Sequence, residues 1–307
     1  MRTGKILVTG AGGLIGSSVA RSLQERGNEV IAIDRVGGQI GDVLIQQCDL
    51  NDIHHLHAVV GPGLAGVVHC GAFSGPMVAR DNPYAMVQVN IVGTANVLEL
   101  ARIYKAQRLV FCSSTSAYGH TASSGPVSED TVMRPESLYG ASKVASEQIV
   151  SAYARQYGVD GLSLRLSWVY GPRRTTDCVI RTMLTDAMAG RPTRIGFGAD
   201  FHRQFIFVHD ASNAVLKALD AHTLPRTTYN ITGGSRVTLL EVASIVKKIY
   251  PTADIDLAPG PDPVDEFQEA FDIRAAARDL EFVPRYRLED GIREYAGWLE
   301  ETMRKEG

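Results

Sequence analysis

Through the first half of the chain, short unbroken apolar runs alternate with segments whose apolar residues recur every three or four positions. Unbroken apolar runs bounded by turn residues fit strands covered on both faces, and the longer period fits amphipathic helices. The pattern predicts strands at 5–8, 30–34, 66–70, 108–112 and 161–168, with helices at 14–26, 84–104 and 139–157. In the second helix Val87, Ile91, Ala95 and Leu98 fall on one stripe. This alternation predicts an α/β fold with a parallel sheet and helices on both faces. After Pro172 glycine and proline become frequent, at 190–192, 196–198 and 259–263. A strand at 205–208 and helices at 210–219, 237–250 and 288–303 follow. The division expected is a main domain of residues 1–168 and 206–232 and a smaller lobe of 169–205 and 233–307.

Composition narrows the classes. The chain has 307 residues, 45% of them hydrophobic, and a net charge of −3. That supports a substantial core and offers no basic excess for nucleic acid or an anionic membrane. No apolar stretch is long enough to span a bilayer, and no leader is expected before the first strand. Cys48, Cys70, Cys112 and Cys178 form no CxxC pair, and His69, His202 and His209 match no ligand spacing. A cytoplasmic protein with reduced thiols and no metal is expected.

The sharpest local signal is Val8-Thr9-Gly10-Ala11-Gly12-Gly13-Leu14-Ile15-Gly16, between a strand and a helix. Glycines at 10, 13 and 16 allow a tight turn and close approach to a pyrophosphate. The N–H groups of Leu14 and Ile15 then lie at the positive end of the helix. The next strand ends in Asp34, an acid placed to accept both ribose hydroxyls, which favours NAD over NADP. Arg35, which follows it, could instead pair with a 2′-phosphate. Asp49-Leu50 could reach an adenine amine, or cap the helix after Asn51.

Tyr139 and Lys143, four apart at a helix start, share one face. An unperturbed tyrosine titrates near pH ~10, and a nearby ammonium stabilises its phenolate. Such a pair can exchange a proton with a substrate hydroxyl. Alone the spacing also arises by chance on surface helices. Ser114, in Cys112-Ser113-Ser114-Thr115-Ser116-Ala117-Tyr118-Gly119, follows the strand at 108–112. It would face the ligand crevice of a parallel sheet and hydrogen-bond the reacting oxygen.

Together Gly10-x-x-Gly13-x-x-Gly16, Asp34, Ser114-x-x-x-Tyr118-Gly119 and Tyr139-x-x-x-Lys143 resemble the extended short-chain dehydrogenase/reductases, which include NAD-dependent sugar epimerases and dehydratases. The likeness runs nearly end to end. It implies a Rossmann-type doubly wound parallel sheet with a C-terminal substrate lobe. It further implies catalysis by Ser114, Tyr139 and Lys143, and a cofactor pocket including Gly71, Asn90, Ser113 and Ser167, with Asp49 at the adenine. A homodimer joined through the helices at 84–104 and 139–157 is implied as well.

Three departures bear on the substrate. Trp168 stands where the family often has an Asn that touches a nucleotide diphosphate. The region 259–269 lacks the family's Arg-x-Gly-Asp and is acidic. Thr115 and Ser116 replace the Asp-Glu pair of dehydratases, which argues against dehydration. Arg203, with Arg173 and Arg174, remains for an anion. The expected function is sugar epimerisation, on a sugar or nucleotide sugar, with Ser114, Trp168, Arg173 and Arg203 touching substrate. The alternatives are a dehydrogenase of a small sugar or sugar acid, using the same three catalytic residues, and a non-catalytic NAD sensor, which could dispense with Tyr139 and Lys143.

Overall fold

The computed structural model describes residues 4–121 and 125–306. In chain order the strands are β1 (Lys5–Thr9), β2 (Glu29–Asp34), β3 (Gly38–Ile40), β4 (Val43–Gln47), β5 (Leu64–His69), β6 (Leu109–Ser114) and β7 (Gly161–Leu166). They continue with β8 (Trp168–Tyr170), β9 (Thr193–Ile195), β10 (His202–Arg203), β11 (Phe205–Phe207), β12 (Thr228–Ile231), β13 (Val237–Thr238) and β14 (Ile255–Leu257). The helices are α1 (Leu14–Glu25), α2 (Ile53–Val60), α3 (Pro83–Val87), α4 (Gly93–Ile103), α5 (Leu138–Tyr157), α6 (Val179–Met188), α7 (Val208–Asp220), α8 (Leu239–Ile249), α9 (Arg274–Asp279) and α10 (Leu288–Glu306).

The main sheet runs β12-β7-β6-β5-β1-β2-β4-β3 and is parallel except for the β3–β4 edge pair. Successive residues of the central strands enter opposite cores. Ile6, Val8, Val110 and Leu164 join the cluster that holds Val19 of α1 and Val215 of α7. Leu7, Ile33, Val67 and Phe111 join the one holding Leu56 of α2, Leu98 of α4 and Val150 of α5. Burial on both faces is why these strands read as unbroken apolar runs. The strand order reverses between β1 and β5, so their C-terminal ends flank the crevice where ligands of such sheets bind. Outside this sheet, β8 pairs with β11, β10 with β13 and β9 with β14. No described helix is long and apolar enough to cross a membrane.

Three expected elements are divided. The helix at 84–104 is α3, a π-helical turn at Gln88–Val92, and α4. The backbone carbonyl of Asn90 accepts hydrogen bonds from the Thr94 and Ser146 hydroxyls, which serve the group that the wider turn frees. The strand at 161–168 breaks at Ser167, because β8 leaves the main sheet for β11. The helix at 237–250 begins two residues late. Val237 and Thr238 first pair with β10, and Thr238 then closes a capping box with Glu241.

Candidate active site

The glycine-rich turn follows β1. Gly10 has φ +65, and the Gly13 N–H donates to its carbonyl at 3.0 Å. A Cβ on Gly16 would lie 2.1 Å from the Gly10 oxygen, so only glycine lets α1 settle onto the turn. No side chain caps α1 and no acid occupies its first turn, which leaves the N–H groups near Leu14 and Ile15 for an anion. Asp34, at the end of β2, accepts the Gly12 N–H at 3.0 Å. Its carboxylate is thereby held beside the turn. The Arg35 guanidinium lies 5.7 Å from the centre of the Phe73 ring. These groups fit an adenine dinucleotide with a free 2′-hydroxyl. The Asp49 carboxylate accepts the Asn51 N–H at 2.9 Å, and it is Asp52 that caps α2. Leu50 is buried, and a Cβ on Gly71 or Gly93 would strike it.

The catalytic candidates meet at the ends of β6 and α5. Ser137 caps α5 by accepting the Gly140 N–H at 3.1 Å. A Cβ on Gly140 would lie 2.4 Å from the Ser116 carbonyl oxygen. Glycine at this position lets the start of α5, just after Tyr139, rest against the 3₁₀ turn Thr115–Ala117, whose N-cap is Ser114. The buried Lys143 Nζ donates to the Cys112 carbonyl at 2.8 Å and sits 5.6 Å from the centre of the Tyr139 ring. Its other neighbour is the Phe111 ring, 4.8 Å away. The Ser114 Oγ accepts the Ser116 N–H at 3.1 Å.

Two residues expected to line the cofactor pocket act as braces. The Asn90 side chain accepts from Phe73 N–H at 2.8 Å and donates to Phe73 O and Ser142 Oγ. It ties the loop after β5 to α5. The Ser113 hydroxyl donates to the buried Glu147 carboxylate, which also holds Arg165. Gly71 N–H donates to Thr9 Oγ1, itself bonded to His69, whose other nitrogen meets Thr94 Oγ1. Burial, then the charge of Lys143, pushes the His69 imidazole down to about 3, so it is a neutral hydrogen-bonding strut.

A cavity opens beside the catalytic group, lined by Thr115, Ser167, Trp168, Arg203, Asp265, Glu266 and Gln268 among others. Ser167, Trp168 and Arg203 thus share it. Arg173 is not among its lining; burial, then the charge of Arg21 on α1, lowers its guanidinium from its ordinary value, and its φ is +69°. Arg203 is not a free cation. Its Nε donates to Asp265 at 2.9 Å, its Nη2 meets Asp262, and its plane lies over Trp168 and Phe201. Burial raises the Asp265 carboxyl to about 6, and burial also raises that of Glu266. These acids come from the acidic region 259–269. Its composition is visible in the sequence, but its docking on Arg203 is not.

Residues 6–232 match the model of the NAD dependent epimerase/dehydratase family. The chain is 30% identical to UDP-glucuronate 4-epimerase 5 of Arabidopsis thaliana over 95% of its own length and 74% of that protein. The structure of MoeE5 in complex with UDP-glucose and NAD superposes with a TM-score of 0.86 at 28% identity, covering 98% of this chain and all of that one. The UDP-glucose 4-epimerase of Thermotoga maritima superposes with a TM-score of 0.89 at 26% identity, over 97% and 99%. The glycine turn, the doubly wound sheet and this full-length likeness agree, and the chain belongs to the NAD-dependent epimerase/dehydratase family.

Proposed function

We propose that the protein is an NAD-dependent sugar epimerase, which oxidises a secondary alcohol and reduces it again on the opposite face. The observation that supports this reading is the placement of Lys143 against the Tyr139 ring and the Cys112 carbonyl, two residues before Ser114 at the C-terminal end of interior strand β6. Tyr139 Oη takes the proton from the substrate hydroxyl and returns it after inversion. The Lys143 ammonium, fixed by the Cys112 carbonyl, favours the phenolate. Ser114 Oγ hydrogen-bonds the reacting oxygen. NAD, when bound, supplies the hydride acceptor and donor. Gly10, Gly13, Leu14, Ile15, Gly16 and Asp34 hold its pyrophosphate and ribose. Asp49 and Leu50 lie toward the adenine, and Ser167 lines the cofactor pocket where it meets the cavity of Trp168 and Arg203. Residues 1–168 and 206–232 form the cofactor domain, and 169–205 with 233–307 the substrate lobe. The likeness to two 4-epimerases supports epimerisation over net oxidation.

Extensive dialysis followed by an NAD assay of the denatured supernatant tests the reading. We expect about one NAD per chain to survive, since an epimerase recycles its cofactor internally. Protein that loses NAD and releases NADH with each turnover would be a dehydrogenase instead.

The chain acts in the cytoplasm, consistent with its four free cysteines. We also propose a homodimer through α4 and α5. Tyr84, Val92, Ile103 and Tyr157, all on α3, the π-turn, α4 or α5, stay exposed on the single chain. Light scattering should give twice the chain mass, and a monomeric mass at working concentration would overturn the assembly.

A further inference from the structure

We infer that the substrate is a small, uncharged, polyhydroxylated sugar without a nucleoside diphosphate, because the cavity beside the catalytic group is already acidic and its one arginine is already paired. This rests on the hydride-transfer reading above and specifies its substrate.

The cavity and its immediate support hold one arginine and three carboxylates. Arg203 spends Nε on Asp265 and Nη2 on Asp262, and Glu266 is a further acid on the wall. Arg174, the next cation, lies 5.3 Å from the centre of the Trp168 ring and donates to the backbone carbonyls of Val169 and Asp177. Arg236 is paired with Glu269. A pyrophosphate entering here would bring its charge against three carboxylates balanced by one arginine, in a partly desolvated space. It would also have to break two buried ion-pair contacts to reach Arg203.

Two polar groups remain unpartnered among the described residues of this cavity. Ser167 Oγ and Arg203 Nη1 are buried and make no hydrogen bond, on side chains of residues 7% and 8% exposed. Buried donors without partners are uncommon and call for an occupant. Each can donate to one sugar oxygen. The carboxylates of Asp265 and Glu266 accept from hydroxyl groups at the same wall. Donors for oxygens and acceptors for hydroxyls, with no net positive charge, are the chemistry of a neutral polyol.

The test uses the purified full-length protein and its Asp262→Asn/Asp265→Asn variant, in which the amide oxygens preserve the acceptors to Arg203. Uridine diphosphate is titrated by calorimetry. Reduction of enzyme-bound NAD is followed with D-glucose and D-galactose, with UDP-glucose and with D-glucuronate. We expect the wild type to show no binding of uridine diphosphate at millimolar concentration and to react with the free neutral sugars ahead of the two anionic compounds. The variant should bind uridine diphosphate about tenfold tighter or better, since two repelling charges are gone. Micromolar binding of uridine diphosphate by the wild type, or faster reaction with UDP-glucose than with free sugars, would overturn the inference. If the variant does not fold, the wild-type titration decides alone. Absence of hydride transfer from every sugar, with no binding of uridine diphosphate, would count against the catalytic reading but uphold exclusion of the diphosphate.

Discussion

Tyr139→Phe is expected to lower turnover by about 10²- to 10⁴-fold, the usual contribution of a positioned proton-transfer group. The change deletes one oxygen and keeps the ring. Tyr139 is buried, and its ring lies 5.6 Å from Lys143 Nζ, so phenylalanine preserves both packing and that contact. Lys143 stays held by the Cys112 carbonyl, and Ser114 by the Ser116 N–H. The glycine turn and Asp34 belong to β1, α1 and β2, which the change does not touch. NAD content after dialysis should therefore match the wild type. The measurement is the rate at which a substrate sugar reduces bound NAD, alongside NAD content. A rate within a few-fold of wild type would remove Tyr139 from proton transfer. Loss of NAD together with activity would mean that its role is structural.

What the sequence disclosed follows the reach of each interaction. The turn from Gly10 to Gly16 and the Tyr139–Lys143 spacing are local, and local spacing maps directly onto local geometry. The parallel sheet was legible because burial on two faces leaves continuous apolar runs. The π-turn at Gln88–Val92 was hidden, since an apolar stripe passes through it without change of composition. β8 and β11 are three residues each, and β10 and β13 two, too short for a period to register. Arg203 could be named as a candidate from its place in the chain. Its neutralisation could not, because Asp262 and Asp265 approach from 59 and 62 residues away. Asn90 and Ser113 illustrate the same limit. Their positions near the crevice follow from topology, but whether each side chain faces ligand or protein depends on partners in α5 and in the loop after β5.

One of those partners carries the second large effect. Glu147→Ala is expected to destabilise the fold by about 3–5 kcal/mol, because it strands the Arg165 guanidinium in the interior. Glu147 lies one helical turn beyond Lys143, and both it and Arg165 are about 4% exposed at the side chain. The Arg165 Nη2 donates to Glu147 at 2.7 Å and its Nε to both carboxylate oxygens at 3.1 Å. Arg165 Nη1 donates to the Tyr118 hydroxyl and the Glu129 carbonyl, and the guanidinium lies 4.7 Å from the centre of the Tyr118 ring. These neutral partners do not balance its charge once Glu147 is gone. The pair also joins α5, which carries Tyr139 and Lys143, to β7, and through Ser113 to β6. Denaturant unfolding of Glu147→Ala, Arg165→Leu and the double variant Glu147→Ala/Arg165→Leu separates charge from packing. The double variant should be less destabilised than the sum of the singles, since removing both charges leaves neither buried alone. Additive losses would show that the two residues act independently, and a Glu147→Ala midpoint equal to wild type would show that solvent reaches Arg165.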